Sequence, residues 1–305
     1  MNETEITEFV LIGFSGRPKT RMALAIFITI MYLVTIVANG LITLVVISES
    51  RLHNPMYFFL CNLSIIDICL CTTSVPQAIA NCLVERPVMS FARCYTQMYA
   101  GIYFGSTECF LLAVMAYDRH VAISNPLHYT IVMNWRVCTL LVLGTWLLAF
   151  LLAIVPWIAN PAQVCERNEI DHISCELTAF MKLICSNMAR SQLMLNLNST
   201  AIVLFPFCFI LFSYLRIIVA ILRIHSAGGR WKAFSTCGSH LAVVAVFFGN
   251  CIVTYIKPLS KDGQDSGKIL SVINGVVVPT VNPLIYTLRN QEVKSALKQL
   301  TRKKL

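Results

Sequence analysis

The stretch MAYDRHVAISNPLHY, Met115–Tyr129, decides the fold. An apolar run over about residues 96–115 ends there in two adjacent charged residues, Asp118 and Arg119. Asp and Arg each cost several kcal/mol at the centre of a bilayer, so a charged pair closing a long apolar run marks a membrane boundary. Pro126 then stops or turns the helix. The other segments of the chain can be placed relative to this boundary.

The composition is that of an integral membrane protein. The chain has 305 residues, of which 57% are hydrophobic and 13% charged, whereas soluble proteins carry about 25% charged residues. A chain this apolar would expose large apolar patches in water, so we expect an integral, multi-pass membrane protein with lipid as a partner. The net charge of +9 fits basic residues on the cytoplasmic side. Nucleic-acid binding is not expected, because no segment interleaves basic and aromatic residues.

Seven apolar segments are each near the ~20 residues that span a bilayer. They are long and continuous and do not alternate at period two, so they predict helices rather than barrel strands. The sequence therefore predicts an all-α membrane protein, a seven-transmembrane helix bundle over residues 22–288. The segments are approximately Met22–Ile47, Met56–Cys82, Thr96–Ile123, Val137–Ile158, Leu195–Ile224, Ser235–Ile256 and Ile269–Leu288.

The orientation follows from the basic residues. The end of the fifth segment and the connection to the sixth carry Arg216, Arg223, Arg230 and Lys232 without an acid, and the tail over 289–305 is also basic. Because basic residues stay cytoplasmic, we expect residues 1–21 outside and the tail inside. The sequon at Asn2 fits an outside N-terminus and predicts glycosylation there.

Four cysteines lie on the predicted outer side. Cys165, Cys175 and Cys185 lie in the long connection over residues 159–194, and Cys94 precedes the third segment. In an oxidising compartment this predicts at least one disulfide, with three connectivities open. A bridge from Cys94 would tie the long connection over the mouth of the bundle.

Two acids lie deep within the segments. Glu108 comes eleven residues before Arg119, about 16 Å from that boundary at 1.5 Å per residue. Asp67 comes twelve residues after Pro55, about 18 Å from the same face. Acids at matching depth in adjacent helices should share a proton or hold a cation such as sodium, with Asn282 as a polar neighbour. A hydrogen-bonded packing cluster without an ion is the alternative.

An enzyme is not expected. No nucleophile, metal-ligand set or phosphate-binding loop accompanies the two acids, and no histidine has the spacing of a zinc site with cysteine. We therefore expect no catalytic residue, no metal site and no organic cofactor.

The predicted outer half of the bundle has a different character. Small, hydroxyl, amide and apolar residues share helical faces there and predict a small, mostly apolar cavity. Such a cavity suits a small hydrophobic ligand better than a charged amine, which would need an acid. The alternative is that these residues only pack helices. The candidate ligand-binding residues are Ile102, Gly105 and Ser106 beside Gly101; Asn198, Ser199 and Ile202; and Phe248, Cys251, Ile252 and Tyr255.

Further short motifs are distributed along nearly the whole chain. They are LHNPMYFFL at 52–60, LS at 63–64 with Asp67, MAYDRHVAISNPLHY, SY at 213–214, KAFSTC at 232–237 with SH at 239–240, and Pro279 followed by NP at 282–283, IY at 285–286 and LRN at 288–290. In this combination the chain resembles the odorant (olfactory) receptors, a family of rhodopsin-like G-protein-coupled receptors, and the tetrapod-type class in particular.

The resemblance implies roles for particular residues. It implies disulfides Cys94–Cys175 and Cys165–Cys185, a central polar site formed by Asp67, Glu108 and Asn282, and odorant binding by the outer-half residues named above. It also implies a cytoplasmic switch that admits a G protein, formed by Asp118, Arg119, Tyr214 and Tyr286. The implied partners are a small odorant and a heterotrimeric G protein of the stimulatory olfactory type, which raises cyclic AMP.

Four positions depart from the family pattern. His120 stands where Tyr is usual, Ser124 where Cys is usual, Ala38 where Gly is usual, and Phe248 where Tyr is common. His120 beside Arg119 is expected to weaken coupling or to respond to pH. The loss of a hydroxyl at Phe248 is expected to alter ligand choice or activation.

Two other functions remain open from the sequence. One is a non-olfactory chemosensory receptor of the same fold. The other is a small-molecule transporter, although the prolines show none of the paired internal symmetry that transporters have. A channel would require a ring or filter of like residues, which is absent.

Overall fold

The computed structural model describes residues 7–14, 18–159, 164, 168–185, 188–255, 264–289, 292–296 and 298. Seven of its helices are long and apolar enough to cross a membrane, which confirms the predicted seven-helix bundle. The first six are α1 Pro18–Ser48, α2 Pro55–Leu83, α3 Phe91–Ser124, α4 Trp135–Ala159, α5 Met188–Leu222 and α6 Ala227–Tyr255.

The seventh helix, α7, is interrupted. It runs over Gln264–Val272, makes a π-helical turn over Ile273–Val277 and continues over Val278–Arg289. Its prolines free two carbonyl groups, because Pro279 and Pro283 have no N–H for the residues four positions earlier. The thiol of Cys71 donates to the Gly275 carbonyl at 3.0 Å, and the amide of Asn39 donates to the Pro279 carbonyl at 3.1 Å. Neighbouring helices thus satisfy the broken α7, as a membrane interior requires.

Several helices begin earlier than their apolar runs. The predicted third segment starts at Thr96, but α3 starts at Phe91, where the Ser90 hydroxyl accepts from the Arg93 N–H at 3.4 Å. The predicted sixth segment starts at Ser235, but α6 starts at Ala227. Hydropathy detects only the part of a helix that lies in lipid, so polar turns and caps beyond it escape detection.

Short elements connect the long helices. They are 3₁₀ turns at Ser50–Leu52, Pro126–His128 and Met181–Leu183, and single helical turns at Tyr129–Val132 and Leu177–Phe180. Pro126 thus ends the helix that contains Arg119, as the sequence predicts: α3 stops at Ser124.

A small sheet, which the sequence did not predict, covers one end of the bundle. Its strands are β1 Glu8–Leu11, β2 Val88–Ser90 and β3 Glu169–Ile170, in the order β2-β1-β3. Strand β1 pairs antiparallel with β2, placing Phe9 opposite Met89, and parallel with β3, placing Leu11 opposite Ile170. Phe9 is fully buried and its ring lies 5.7 Å from that of Phe91. The sheet therefore packs residues 8–11 onto the start of α3.

A disulfide joins Cys94 at the start of α3 to Cys175, with a Cα–Cα distance of 5.3 Å. We call this the disulfide end of the bundle, and the opposite end, where α3 carries Arg119, the Arg119 end. Cys185 is also disulfide-bonded. The predicted partner of Cys185, Cys165, lies outside the described residues, as does the predicted glycosylation site Asn2.

The outer surface of the bundle is apolar. Ile47 on α1, Leu147 on α4 and Phe205 on α5 are 68%, 61% and 72% exposed. Continuous apolar surface of this kind is stable only against lipid. The polar side chains described in the next section face the inside of the bundle.

Candidate functional site

A cavity of about 190 Å³ lies between α2, α3, α5, α6 and α7, beneath the chain that follows β3. Seven of the predicted ligand-binding residues line it, together with Gly101. They are Ile102, Gly105, Ser106, Asn198, Ser199, Ile202 and Cys251. A Cβ atom built at Gly101 or Gly105 would meet no other atom within 4 Å, so these two glycines open the wall of α3.

The face of α6 differs from the predicted one. Phe247, Cys251 and Thr254 line the cavity, at helical spacing i, i+4, i+7. Phe248 is instead fully buried beside Phe247, with a ring distance of 5.3 Å. An apolar helix offers several candidate stripes, and only packing against its neighbours selects one of them.

Two more predicted residues stand apart from the lining. Ile252 is half-buried and packs against the main hydrophobic core. Tyr255 closes α6, and its side chain lies outside the described part of the structure.

Other lining residues were not predicted. Some lie on α2 and on the first turns of α3, and some come from the connection after β3 and from the π-helical turn of α7. Helical periodicity within single spans contains no signal for them, because loop position and the π turn depend on tertiary contacts. They include Leu70, Thr73, Ser74, Gln97 and Met98; Ser174, Cys175, Glu176 and Leu177; and Ser271, Asn274 and Gly275.

Buried amides fix the connection after β3 as the roof of the cavity. The Gln97 side chain accepts from the Cys175 N–H at 2.8 Å and donates to the Thr73 carbonyl at 3.1 Å. The Asn81 amide donates to the Ile173 carbonyl at 2.8 Å. Buried backbone groups require such partners. The roof, residues 171–177, is therefore attached to α2 and α3 by hydrogen bonds as well as by the disulfide.

Titratable groups connect the roof to α7. Lys268 forms an ion pair with Asp171 at 2.6 Å and donates to the Gly13 carbonyl at 3.1 Å. His172 is buried, with its Nε2 atom 3.2 Å from the Ser271 hydroxyl. Burial lowers the pKa of His172, and the Lys268 charge adds to this while the Glu176 carboxylate opposes it. His172 is therefore neutral at pH 7.

The two intramembrane acids meet, together with the predicted asparagine. The Asn282 amide nitrogen lies 3.1 and 3.3 Å from the two carboxylate oxygens of Asp67 and 3.1 Å from Glu108 Oε1. All three residues are buried. Glu108 Oε2 is buried without a hydrogen-bond partner among the described residues. The cluster has the oxygen donors that a small hard cation prefers.

Towards the Arg119 end, His240 joins three helices. Its Nε2 atom lies 3.1 Å from the Leu112 carbonyl on α3, and its Nδ1 atom lies 2.8 Å from the Tyr214 hydroxyl on α5. A carbonyl only accepts, so Nε2 carries the proton and Nδ1 accepts from Tyr214. The sequence alone assigns no role to His240. The Tyr286 hydroxyl on α7 is buried and has no hydrogen-bond partner within the described ranges.

Asp118 is bonded to the turn that follows α3. The Tyr129 hydroxyl donates to Asp118 Oδ1 at 2.7 Å, and the described residues contain no ion pair between Asp118 and Arg119. Burial and the neighbouring Asp118 charge raise the pKa of Tyr129, which keeps its hydroxyl protonated as a donor. Asp118 thus holds the turn that follows α3, and Arg119 remains half-buried beside it.

The sequence and the fold match known proteins. A model of the olfactory receptor family matches residues 28–304. The chain belongs to the olfactory receptor family. It is 45% identical to olfactory receptor 2A12 from Homo sapiens over 98% of this chain and 97% of that protein. It is 43% identical to olfactory receptor 1f45 from Rattus norvegicus over 98% of this chain and 96% of that protein.

A solved structure agrees with the architecture. The crystal structure of squid rhodopsin matches with a TM-score of 0.74 and 18% identity, covering 94% of this chain and 86% of that one. The receptor fold is therefore the rhodopsin-like seven-helix bundle. This olfactory receptor is a multi-pass plasma-membrane protein, not an enzyme, and belongs to a class that binds small ligands and heterotrimeric G proteins.

Two of the receptor's departures from its family pattern contact one another. The Ser124 hydroxyl lies 3.1 Å from His120 Nδ1, one helical turn apart on α3. An exposed or half-exposed pair at this spacing contributes only a few tenths of a kcal/mol. Helix α3 runs unbroken through both residues and ends at Ser124.

Proposed function

We propose that this receptor binds small, mostly apolar volatile odorants in the cavity at the disulfide end. The observation that carries the proposal is the cavity itself. Its volume of about 190 Å³ lies below the ~300–1,000 Å³ of pockets for drug-sized ligands. The surface of its lining is mostly apolar and includes hydroxyl and amide groups and the Glu176 carboxyl group, which suits a small volatile molecule.

We further propose that the bound receptor activates a heterotrimeric G protein of the stimulatory olfactory type and raises cyclic AMP. Helix α6 supports a link between the two ends. Phe247 and Cys251 on this helix line the cavity, and His240, about two turns away, bonds to α3 and α5. A ligand that binds better to a displaced α6 shifts the population towards receptors in which the His240 contacts are broken.

A cell assay tests this proposal. Cells expressing the receptor and a cyclic AMP reporter are exposed to a broad odorant panel. We expect agonist-dependent cyclic AMP in the wild type and none in Arg119→Ala at equal surface expression. A normal response from Arg119→Ala would refute the assigned switch. Substrate uptake without any G-protein signal would indicate a transporter instead.

We propose that the Asp67–Glu108–Asn282 cluster carries one compensating positive charge, either a shared proton or a sodium ion. Two buried carboxyl groups bonded to one amide cannot both ionise without compensation. Sodium should then stabilise the purified wild type against heat more than choline does, and Glu108→Gln should remove that difference. An equal effect of both salts on the wild type would exclude the sodium ion and favour the shared proton.

We propose that the N-terminus lies outside, with a glycan on Asn2, and that Cys165 pairs with Cys185. The disulfide between Cys94 and Cys175 supports this orientation, because disulfides persist in oxidising compartments. Glycosidase treatment should increase the electrophoretic mobility of the wild type but not of Asn2→Gln. Lack of any shift in the wild type would contradict the proposed glycan.

A further inference from the structure

The cavity combines satisfied hydrogen-bond donors with unsatisfied acceptors. Glu176 Oε1 and Asn274 Oδ1 are buried without a hydrogen-bond partner among the described residues, and both residues line the cavity. Buried polar atoms of native proteins normally have a partner, so two such atoms at one cavity need an explanation.

Three of the donors that line the cavity are already used. The Ser106 hydroxyl donates to the Ile102 carbonyl at 2.6 Å, and the Thr254 hydroxyl donates to the Asn250 carbonyl at 2.9 Å. The Asn198 amide donates to the Leu152 carbonyl at 3.2 Å. These three donors satisfy backbone carbonyls and do not bond to the two acceptors.

Glu176 is held in place by its neighbours. It follows Cys175, whose sulfur is bonded to Cys94 and whose N–H donates to Gln97. Its second carboxylate oxygen, Oε2, accepts from the Thr178 hydroxyl. Thr178 thus fixes one carboxylate oxygen, and Oε1 has no hydrogen-bond partner among the described residues.

No protein cation neutralises Glu176 within the described ranges. Lys268, the basic residue of this region, is paired with Asp171 at 2.6 Å. His172 lies near Glu176, but burial lowers its pKa and it stays neutral at pH 7. Glu176 therefore has no ion-pair partner among the described residues.

The π-helical turn explains the place of Asn274. An extra residue in the helix rotates the positions that follow it, and such turns occur frequently at functional sites. Ser271, before the turn, and Asn274 and Gly275, within it, all line the cavity. Asn274 thereby joins the polar part of the wall.

We infer that the preferred ligands are small apolar molecules with a hydrogen-bond-donating head group, which donates to Glu176 and Asn274. The inference rests on the proposed odorant-binding function and specifies its ligand class. A hydroxyl and a protonated amine both supply the donor, and an ammonium would add attraction to the carboxylate. The sequence predicts a cavity without an acid, because that prediction rests on the spans and Glu176 lies in the roof.

A matched ligand series tests the inference. A primary amine, a primary alcohol and a methyl ether of equal chain length are compared by cyclic AMP response and by thermal stabilisation of the purified receptor. An ether oxygen only accepts, so it leaves both protein acceptors unsatisfied. We expect the amine or the alcohol to be at least about tenfold more potent than the ether, as one lost hydrogen bond of this kind predicts. An ether as potent as both donors would overturn the inference.

Variants identify the acceptor and the head group. Glu176→Gln should weaken the response to the amine about tenfold or more and leave the ether unchanged, while Asn274→Ala should weaken the alcohol. Glu169→Gln is the matched control, because Glu169 is exposed in β3 and does not line this cavity. If the amine and the alcohol are each as potent on both cavity variants as on the wild type, Glu176 and Asn274 do not accept from the ligand.

Thermal stabilisation reports ligand binding, and the cyclic AMP response reports coupling to the G protein. Thermal stabilisation by the donors without any cyclic AMP response would contradict the proposed coupling and keep the ligand class. If Glu176→Gln does not reach the cell surface, Asn274→Ala and the wild-type ligand series still decide the outcome.

Discussion

At the scale of single residues, His240 and Asp118 make different contacts at the Arg119 end. Asp118 accepts from Tyr129 and holds the turn after α3. His240 uses both ring nitrogens to join α6 to α3 and α5. Neutral hydrogen bonds each contribute about 0.5–1.5 kcal/mol net to stability. The two hydrogen bonds of His240 can therefore bias the equilibrium between two arrangements of α6 without locking the helix in one of them.

His240→Phe tests this role. A phenyl ring fills the space of the imidazole but makes neither hydrogen bond. The arrangement with α6 against α3 is therefore destabilised. We expect basal cyclic AMP to rise several-fold at equal surface expression, because about 1.4 kcal/mol corresponds to a factor of ten. Tyr214→Phe removes one of the two bonds and should produce a smaller rise. Basal activity equal to the wild type in both variants would show that these bonds do not restrain α6.

At the scale of elements, α7 shows why its two prolines are tolerated. Each proline removes the N–H that a carbonyl four residues earlier would use, and side chains of α1 and α2 replace it. The interruption in α7 is therefore part of the contact between three helices rather than a local defect.

Asn39→Ala removes one of these replacements. The Pro279 carbonyl would be left buried without a donor, which costs about 1–3 kcal/mol. We expect a lower melting temperature of the purified receptor. Thr43→Ala is the matched control, because the Thr43 hydroxyl only bonds to the Asn39 carbonyl of its own helix. Equal melting temperatures for the wild type and Asn39→Ala would contradict this account of α7.

The roof is the element whose stability should depend on pH. Burial lowers the pKa of His172 below its ordinary value, so the unfolded roof binds more protons than the packed one. The contribution of neutral His172 is then fully present above about pH 6.5 and is lost as the pH falls below that value. The groups that face His172 are Glu176, Lys268, Ser174 and Ser271.

Hydrogen exchange measures this dependence. Backbone N–H groups over residues 171–177 should exchange faster at pH 5.5 than at pH 7.5, after correction for the intrinsic rate. His172→Gln keeps a polar side chain that does not titrate and should flatten the difference. The same corrected dependence in the variant would assign the effect to another group.

The elements also show how far sequence reasoning reaches. Hydropathy and helical rise predicted the seven spans, and they placed Asp67 and Glu108 at matching depth, where both contact Asn282. Periodicity predicted the α3 and α5 residues of the cavity. It chose Phe248 rather than Phe247 on α6, because helix rotation is set by packing. The π turn, the sheet and the position of Glu176 depend on contacts between segments that are distant in the sequence. Local sequence patterns do not predict such contacts.

At the scale of the whole molecule, the disulfide end and the Arg119 end are joined by α3 and α6. Both helices contribute to the cavity wall, and Leu112 on α3 bonds to His240 on α6. The central claim is that occupation of this cavity changes the equilibrium at the Arg119 end. A side chain that fills the cavity should therefore block the response to ligand without disturbing the bundle.

Gly105→Leu tests that claim most directly. A side chain there would enter open space in the cavity wall, because a Cβ at Gly105 meets no atom within 4 Å. Gly144→Leu is the matched control: its Cβ also meets nothing within 4 Å, but Gly144 is exposed on α4, away from the cavity. The measurement is the odorant-dependent cyclic AMP response at equal surface expression. We predict its loss in Gly105→Leu, with basal activity retained, and a wild-type response in Gly144→Leu. Unchanged potencies for all agonists in Gly105→Leu would show that odorants do not bind in this cavity.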